Sequence, residues 1–149
     1  MGDFAKEIKS SFPNDKVKAL LNIIYTSNWI NSLQVAFFKP FGLSPQQYNI
    51  LRILRGANKP LKVQTIKERM IERSPNATRL MDKLREKELI ERIACENDRR
   101  VVYINISSKG LDILGQIDTQ NNKHPFLDNI SDKEASVLSH LLDKLRDKQ

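Results

Sequence analysis

Two short runs in the 149-residue chain place polar and charged side chains at a spacing suited to directional contacts. The first is Arg73-Ser74-Pro75-Asn76-Ala77-Thr78-Arg79, in which Ser74, Asn76, Thr78 and Arg79 cluster ahead of Lys83. Hydroxyl, amide and guanidinium groups of this kind hydrogen-bond to base edges and to phosphate oxygens. The second is Asp98-Arg99-Arg100, where an arginine on a protruding loop can reach into a narrow minor groove. Taken alone, such a triplet is more often a solvated turn, because exposed charges need no partner. Residues for other chemistry are absent or scattered. There is no Gly-rich phosphate loop, no His-Glu-x-x-His and no Gly-x-Ser-x-Gly. His124 and His140 are the two histidines, and no Cys/His/Asp/Glu cluster has tetrahedral metal-ligand spacing. The single cysteine, Cys95, cannot form an intramolecular disulfide, which fits a reducing compartment, and it reads as a strand thiol. Catalysis, a metal site and a bound cofactor are therefore not expected.

Both runs need elements to hold them, and hydrophobic periodicity predicts those elements. Val17, Leu20, Leu21, Ile24, Trp29, Ile30, Leu33 and Phe37 recur at helical spacing up to Lys39-Pro40, giving a long first helix. Ser44-Pro45-Gln46-Gln47 offers a cap, a proline at the first helical position and a glutamine that can close a capping box. A second helix therefore starts there and carries Ile50, Leu51 and Leu54. A short third helix runs from about Val63 to Met70, with Val63, Ile66 and Met70 inward. Ser74-Pro75 repeats the cap-plus-proline signal and opens a fourth helix over 74–87. Its Ala77, Leu80, Met81 and Leu84 pack, leaving Asn76, Arg79 and Lys83 toward the opposite side.

After Leu89 the period changes. Ile90–Ala94 and Val101–Ile106 are rich in β-branched and aromatic residues and flank a polar tip, so an antiparallel hairpin is predicted over 90–106. Ser107 caps a fifth helix carrying Leu111, Leu114 and Ile117, interrupted near Asn121-Asn122 and His124-Pro125. Ser131-Asp132-Lys133-Glu134 provides another capping box, ahead of Leu138, Leu141, Leu142 and Leu145 in a sixth helix. The first dozen residues and the last few are expected to lack fixed structure. The predicted fold class is mainly α with a small β wing, in one domain.

The net charge of +7 becomes informative when it is mapped. From Arg52 to Gly110 there are 15 Lys or Arg against 8 Asp or Glu, while the two flanks together hold 10 of each sign. A neutral frame around a basic centre suits a module that neutralises phosphates, with the flanks left for folding and association. No stretch reaches the roughly 20 apolar residues of a membrane span, and the first ten residues lack the make-up of a signal peptide. A cytoplasmic protein with no membrane partner is expected.

The order helix, helix, helix, hairpin carries the functional reading. In a helix-turn-helix the second helix places its N-terminal residues against base edges while the first crosses the backbone. Predicted helices three and four suit those roles, and the positive dipole end of helix four favours a phosphate. Asp82 and Glu86 lie on the outward side and repel DNA, so only the first two turns of that helix are expected in the groove. Two other readings share this topology. A winged-helix protein-interaction module needs an exposed apolar patch where Arg79 and Arg100 are expected. Sequence-tolerant RNA binding usually needs stacking aromatics, and Tyr103 is the one aromatic in the central segment.

From about Val17 to the C-terminus, the chain resembles the MarR (multiple-antibiotic-resistance regulator) family. Ser74 to Leu84 is similar to that family's recognition helix, and Leu89-Ile90-Glu91-Arg92 to the start of its wing. Asp98-Arg99-Arg100, then Ile106-Ser107 and Gly110, matches its wing pattern in order and spacing. The resemblance implies a winged helix-turn-helix lobe over about 42–106, flanked by a helical dimerisation region over about 12–39 and 107–147. It implies a homodimeric, sequence-specific regulator of transcription, by family default a repressor, with helix 74–87 in the major groove and wing 90–106 in the minor groove of a pseudo-palindromic operator. Asp98 is then implied to orient Arg100 in the minor groove, with Arg99 and Arg73 as phosphate contacts. Regulators of this kind can take a small-molecule effector. Trp29, Phe37, Phe38, Phe41 and Tyr48 could line a ligand cleft, but such aromatics are more often plain core. Two residues depart from the pattern: Lys67 replaces a frequent small residue, and Glu88 stands where a glycine commonly ends the recognition helix. A left-handed Glu88 would cost about 1 kcal/mol, which leaves the local turn open.

Overall fold

Side-chain caps decide where the long helices begin. Asn14 Oδ1 accepts the Val17 N–H at 2.9 Å, opening a helix over Asp15–Phe38. Ser44 and Gln47 cap each other's backbones at the start of Pro45–Ala57, and Ser131 and Glu134 do the same at Asp132–Arg146. Each cap supplies an acceptor to amides that the first helical turn leaves unpaired. The Ser131 backbone N–H, and then its hydroxyl, hold the Glu134 carboxyl below its ordinary range.

The structure is a computed structural model describing residues 1–120 and 124–148. In chain order it contains α1 (Phe4–Glu7), α2 (Asp15–Phe38), α3 (Pro45–Ala57), β1 (Leu61–Lys62), α4 (Val63–Arg69), α5 (Ala77–Glu86), β2 (Ile90–Ala94), β3 (Val102–Ile106), α6 (Ser108–Asp118) and α7 (Asp132–Arg146). The helix break expected near Asn121-Asn122 falls outside the described residues. The chain forms two compact units, residues 1–117 and 118–149.

In the first unit the apolar stripes of α3, α4 and α5 meet the wing. Ile50, Leu51 and Leu54 of α3 are buried in one cluster with Ile66, Met81, Leu84, Ile90, Ile104 and Leu114. The small sheet runs β1-β3-β2, all antiparallel, with Ile90 opposite Ile106, Ala94 opposite Val102 and Leu61 opposite Ile104. β1 is not foreseen by periodicity, because two residues acquire strand identity only through their partners. The second unit carries α7, whose Val137, Leu138, Leu141 and Leu145 are exposed.

Two boundaries need correction. The recognition helix spans Ala77–Glu86, not 74–87. Ser74 turns its side chain to its own local backbone: Oγ accepts the Asn76 N–H at 3.1 Å, and the Ser74 carbonyl accepts the Ala77 N–H at 3.3 Å. This local bonding makes 74–76 a turn that leads into the helix. The N-terminal segment is also ordered. Asp3 caps α1, and Phe4 is buried, stacked on Phe12 at 5.2 Å between ring centroids and tilted against Tyr25 at 5.3 Å. Aromatic contacts far apart in sequence thus fix a segment that has no periodic signal of its own.

The exit from α5 resolves the question raised by Glu88. That residue does adopt the left-handed conformation, at φ 61°. Glu88 N–H donates to the Arg85 carbonyl and Leu89 N–H to the Leu84 carbonyl, which is the paired bonding of a Schellman ending, with buried Leu84 and Leu89 as its apolar contact. Ser107 Oγ donates to the Glu88 carbonyl at 2.7 Å, so the β3–α6 junction clamps the strained residue. Replacing Glu88 with glycine is expected to stabilise the fold by about 1 kcal/mol. A thermal melt should show Tm raised by roughly 2–4 °C.

Candidate nucleic-acid interface

α4 ends at Arg69 because Met70 turns extended and buries its side chain in the core. The turn that follows is braced from α3. Asn49 Oδ1 accepts the Ile71 N–H at 2.9 Å, and Gln46 Nε2 donates to Glu72 Oε2 at 2.7 Å. Lys87, just beyond α5, donates to the Gly42 carbonyl. The two helices of the helix-turn-helix are thereby held at their joint and at the far end of α5.

α5 is strongly two-faced. Ala77, Met81 and Leu84 are buried, whereas Thr78, Arg79 and Lys83 are exposed, together with Arg73 and Asn76 in the preceding turn. Ser74 is half-buried, its hydroxyl already engaged with the Asn76 amide. A shallow depression of about 370 Å³ lies beside this turn, lined by Gln64, Lys67, Met70, Arg73 and Ser74. Asp82 and Glu86 are also exposed on α5.

The wing forms a second group. Asp98 Oδ1 accepts the Arg100 backbone N–H at 3.0 Å and lies 3.5 Å from the Arg100 Nε. The same residue's carbonyl accepts the Val101 N–H at 3.0 Å, closing the tip as a turn. Arg100 remains 94% exposed while the base of its side chain is fixed by Asp98. Arg99 is exposed beside it. The hairpin that carries these residues is seated from both ends. Ile90 and Ile104 lie in the core, and Ser107 Oγ accepts the Gly110 N–H at 3.0 Å while its backbone N–H bonds the Leu89 carbonyl at 3.1 Å.

Four of the aromatics considered as a cleft pack at the joint between α2 and α3. Phe38 is buried and stacks on Tyr48 at 4.2 Å, with Phe37 edge-on to Phe38 at 5.1 Å and Phe41 tilted against Phe37 at 6.0 Å. Trp29 stands apart from them on α2. Cys95 is half-buried in the wing. Among the described residues no group of three or more His, Cys, Asp or Glu side chains could hold a metal ion, and no helix is long and apolar enough to cross a membrane. Sequence reasoning missed Gln46, Asn49 and Glu72, whose roles depend on contacts between distant parts of the chain. Ile71, expected in the turn with Glu72 and Arg73, is 88% exposed there.

Comparison with known proteins agrees with this architecture. The MarR family profile matches residues 43–102. The HTH-type transcriptional regulator MhqR of Bacillus subtilis is 30% identical over 107 residues, covering 70% of this chain and 72% of that protein. YpoP of the same organism, described as an uncharacterized HTH-type transcriptional regulator, is 32% identical over 109 residues, covering 72% of this chain and 77% of its own. Among solved structures, mutant MarR from E. coli complexed with operator DNA has a TM-score of 0.77 at 23% identity, covering 92% of this chain and 100% of that one. A MarR transcription factor from Planctomyces limnophilus has a TM-score of 0.68 at 28% identity, covering 89% and 98%.

Proposed function

This chain belongs to the MarR family of transcriptional regulators, and from that premise we propose that it acts as a homodimer, without catalysis, by binding a pseudo-palindromic duplex operator as a repressor. The observation that carries the proposal is the exposed polar face running from Arg73 to Lys83 on a braced helix-turn-helix. Asn76 and Arg79 read base edges in the major groove, Arg73, Ser74, Thr78 and Lys83 position the helix on phosphates, and Arg100, with Arg99 beside it, enters the minor groove. Residues 42–106 form the DNA-binding lobe, and 12–39 with 107–147 the dimerisation region.

The dimer is supported by unsatisfied apolar surface. α2 exposes Leu20, Leu21, Ile24, Leu33 and Val35, and α7 exposes Val137, Leu138, Leu141 and Leu145. A helix apolar on several sides is a buried helix, so a second copy is the expected cover. A two-fold arrangement sets the two recognition helices ~34 Å apart, one turn of DNA.

Selection from a randomised duplex pool tests this reading. An enriched palindrome with half-sites one turn apart is expected, with affinity falling steeply as salt rises. Replacing Asn76 or Arg79 with alanine should flatten the preference at one or two positions per half-site, each base losing about 1–3 kcal/mol of discrimination. Selection of no motif by the full-length chain would instead favour the interaction-module reading.

A further inference from the structure

A second concave site lies far along α2 from the DNA-binding lobe's core. It is a half-open hollow of about 320 Å³ between α1 and α2, within the ~300–1,000 Å³ range of small-ligand sites. It is lined by Phe4 and Glu7 of α1 and by Asn22, Tyr25, Thr26 and Trp29 of α2. We propose that this hollow binds a small organic cation, an alkyl- or arylammonium compound, through the ring faces of Phe4, Tyr25 and Trp29 and the carboxylate of Glu7.

Three observations set the ligand's chemistry. Aromatic faces carry negative charge density and attract cations, the more so beside a carboxylate. Glu7 lines the hollow with Tyr25, and its carboxylate, by hydrogen bonding and by charge, pushes the Tyr25 pKa above its ordinary value. Glu7 is the carboxylic acid among the residues that line the hollow. The pocket is also shaped by fixed neighbours. Thr26 Oγ1 donates to Asn22 Oδ1 at 3.1 Å, and Phe4 is buried against Phe12. An anion would meet Glu7, and a strongly hydrated metal ion would gain little from three rings.

The site is compatible with dimerisation through α2. Asn22, Tyr25, Thr26 and Trp29 follow the i, i+3, i+4, i+7 spacing of one helix face, Leu20, Ile24 and Val35 fall on the opposite one, and Leu33 continues the first face one turn beyond Trp29. The N-terminal segment already occupies the first face.

Trp29 is the sole tryptophan, so its emission reports directly on the hollow. The experiment titrates the full chain, without DNA, with benzyltrimethylammonium, and in parallel with benzyl alcohol and benzoate. Saturable quenching by the cation is expected, with a dissociation constant of roughly 0.1–1 mM for so small a ligand. Glu7→Gln should weaken it about threefold and Glu7→Lys about tenfold, with unfolding unchanged because Glu7 is exposed. Absence of saturable quenching, equal quenching by benzyl alcohol or benzoate, or unchanged affinity in Glu7→Lys would each overturn the proposal. With no DNA in the titration, failure here leaves the operator-binding reading untouched.

Discussion

Arg100→Ala is expected to weaken operator binding by about 30-fold or more at moderate salt, on the basis of roughly 1–3 kcal/mol for each of two groove-inserted arginines. The side chain is 94% exposed, and its ion-pair partner Asp98 is also at the surface. Tm should therefore be unchanged. In a dimer both wings lose a cation, and the slope of log affinity against log salt should fall by about two. Asp98→Ala separates orientation from charge. It keeps both arginines but removes the acceptor of the Arg100 N–H and the neighbour of its Nε. A smaller loss of affinity without a shallower salt slope is expected. Equal binding by Arg100→Ala and the parent chain on every duplex would show that the wing stays out of the groove.

The second large effect is on stability. A Cβ at Gly110 would overlap the Leu89 carbonyl oxygen and stand 2.8 Å from Ile106 Cγ1. The carbonyl is backbone, and it already accepts the Ser107 N–H, so it cannot rotate aside. Gly110→Ala must push α6 away from the α5–β2 junction. A loss of about 1–3 kcal/mol is expected. Thermal unfolding should register this as a Tm lowered by roughly 2–12 °C. Gly56→Ala on α3 is the matched control: nothing lies within 4 Å of its Cβ position, and Tm should hold or rise. If both variants melted together, the close approach at Gly110 would have no energetic weight.

Much of this architecture is legible in the sequence because its signals are local. Ser44 with Gln47 and Ser131 with Glu134 mark helix starts within four residues, and the caps form as the pattern requires. The inward faces of α3, α4 and α5 follow from periodicity and are the faces that become buried. What eludes sequence reading depends on distant partners. β1 exists through Leu61 pairing with Ile104, and α1 through Phe4 meeting Tyr25. Ser74 misleads because a serine before a proline can cap a helix or bond its own turn, and the two outcomes share one local pattern. For the candidate interface, the residue types were visible along the chain. The bracing by Asn49 and Gln46 was not, since it joins side chains 22 and 26 residues from their partners.

The turn over 74–76 separates two tasks that a longer helix would combine. Asn76 is the N-cap of α5: its carbonyl accepts the Leu80 N–H at 3.0 Å, its side chain makes no capping bond, and packing begins at Ala77. A substitution at Asn76 therefore carries little helix-propensity penalty and opens no core cavity. On the proposed reading of Asn76, operator preference can drift by changes there while the scaffold keeps its melting behaviour. Gene duplicates of such a regulator would acquire new target sites without first passing through an unstable intermediate.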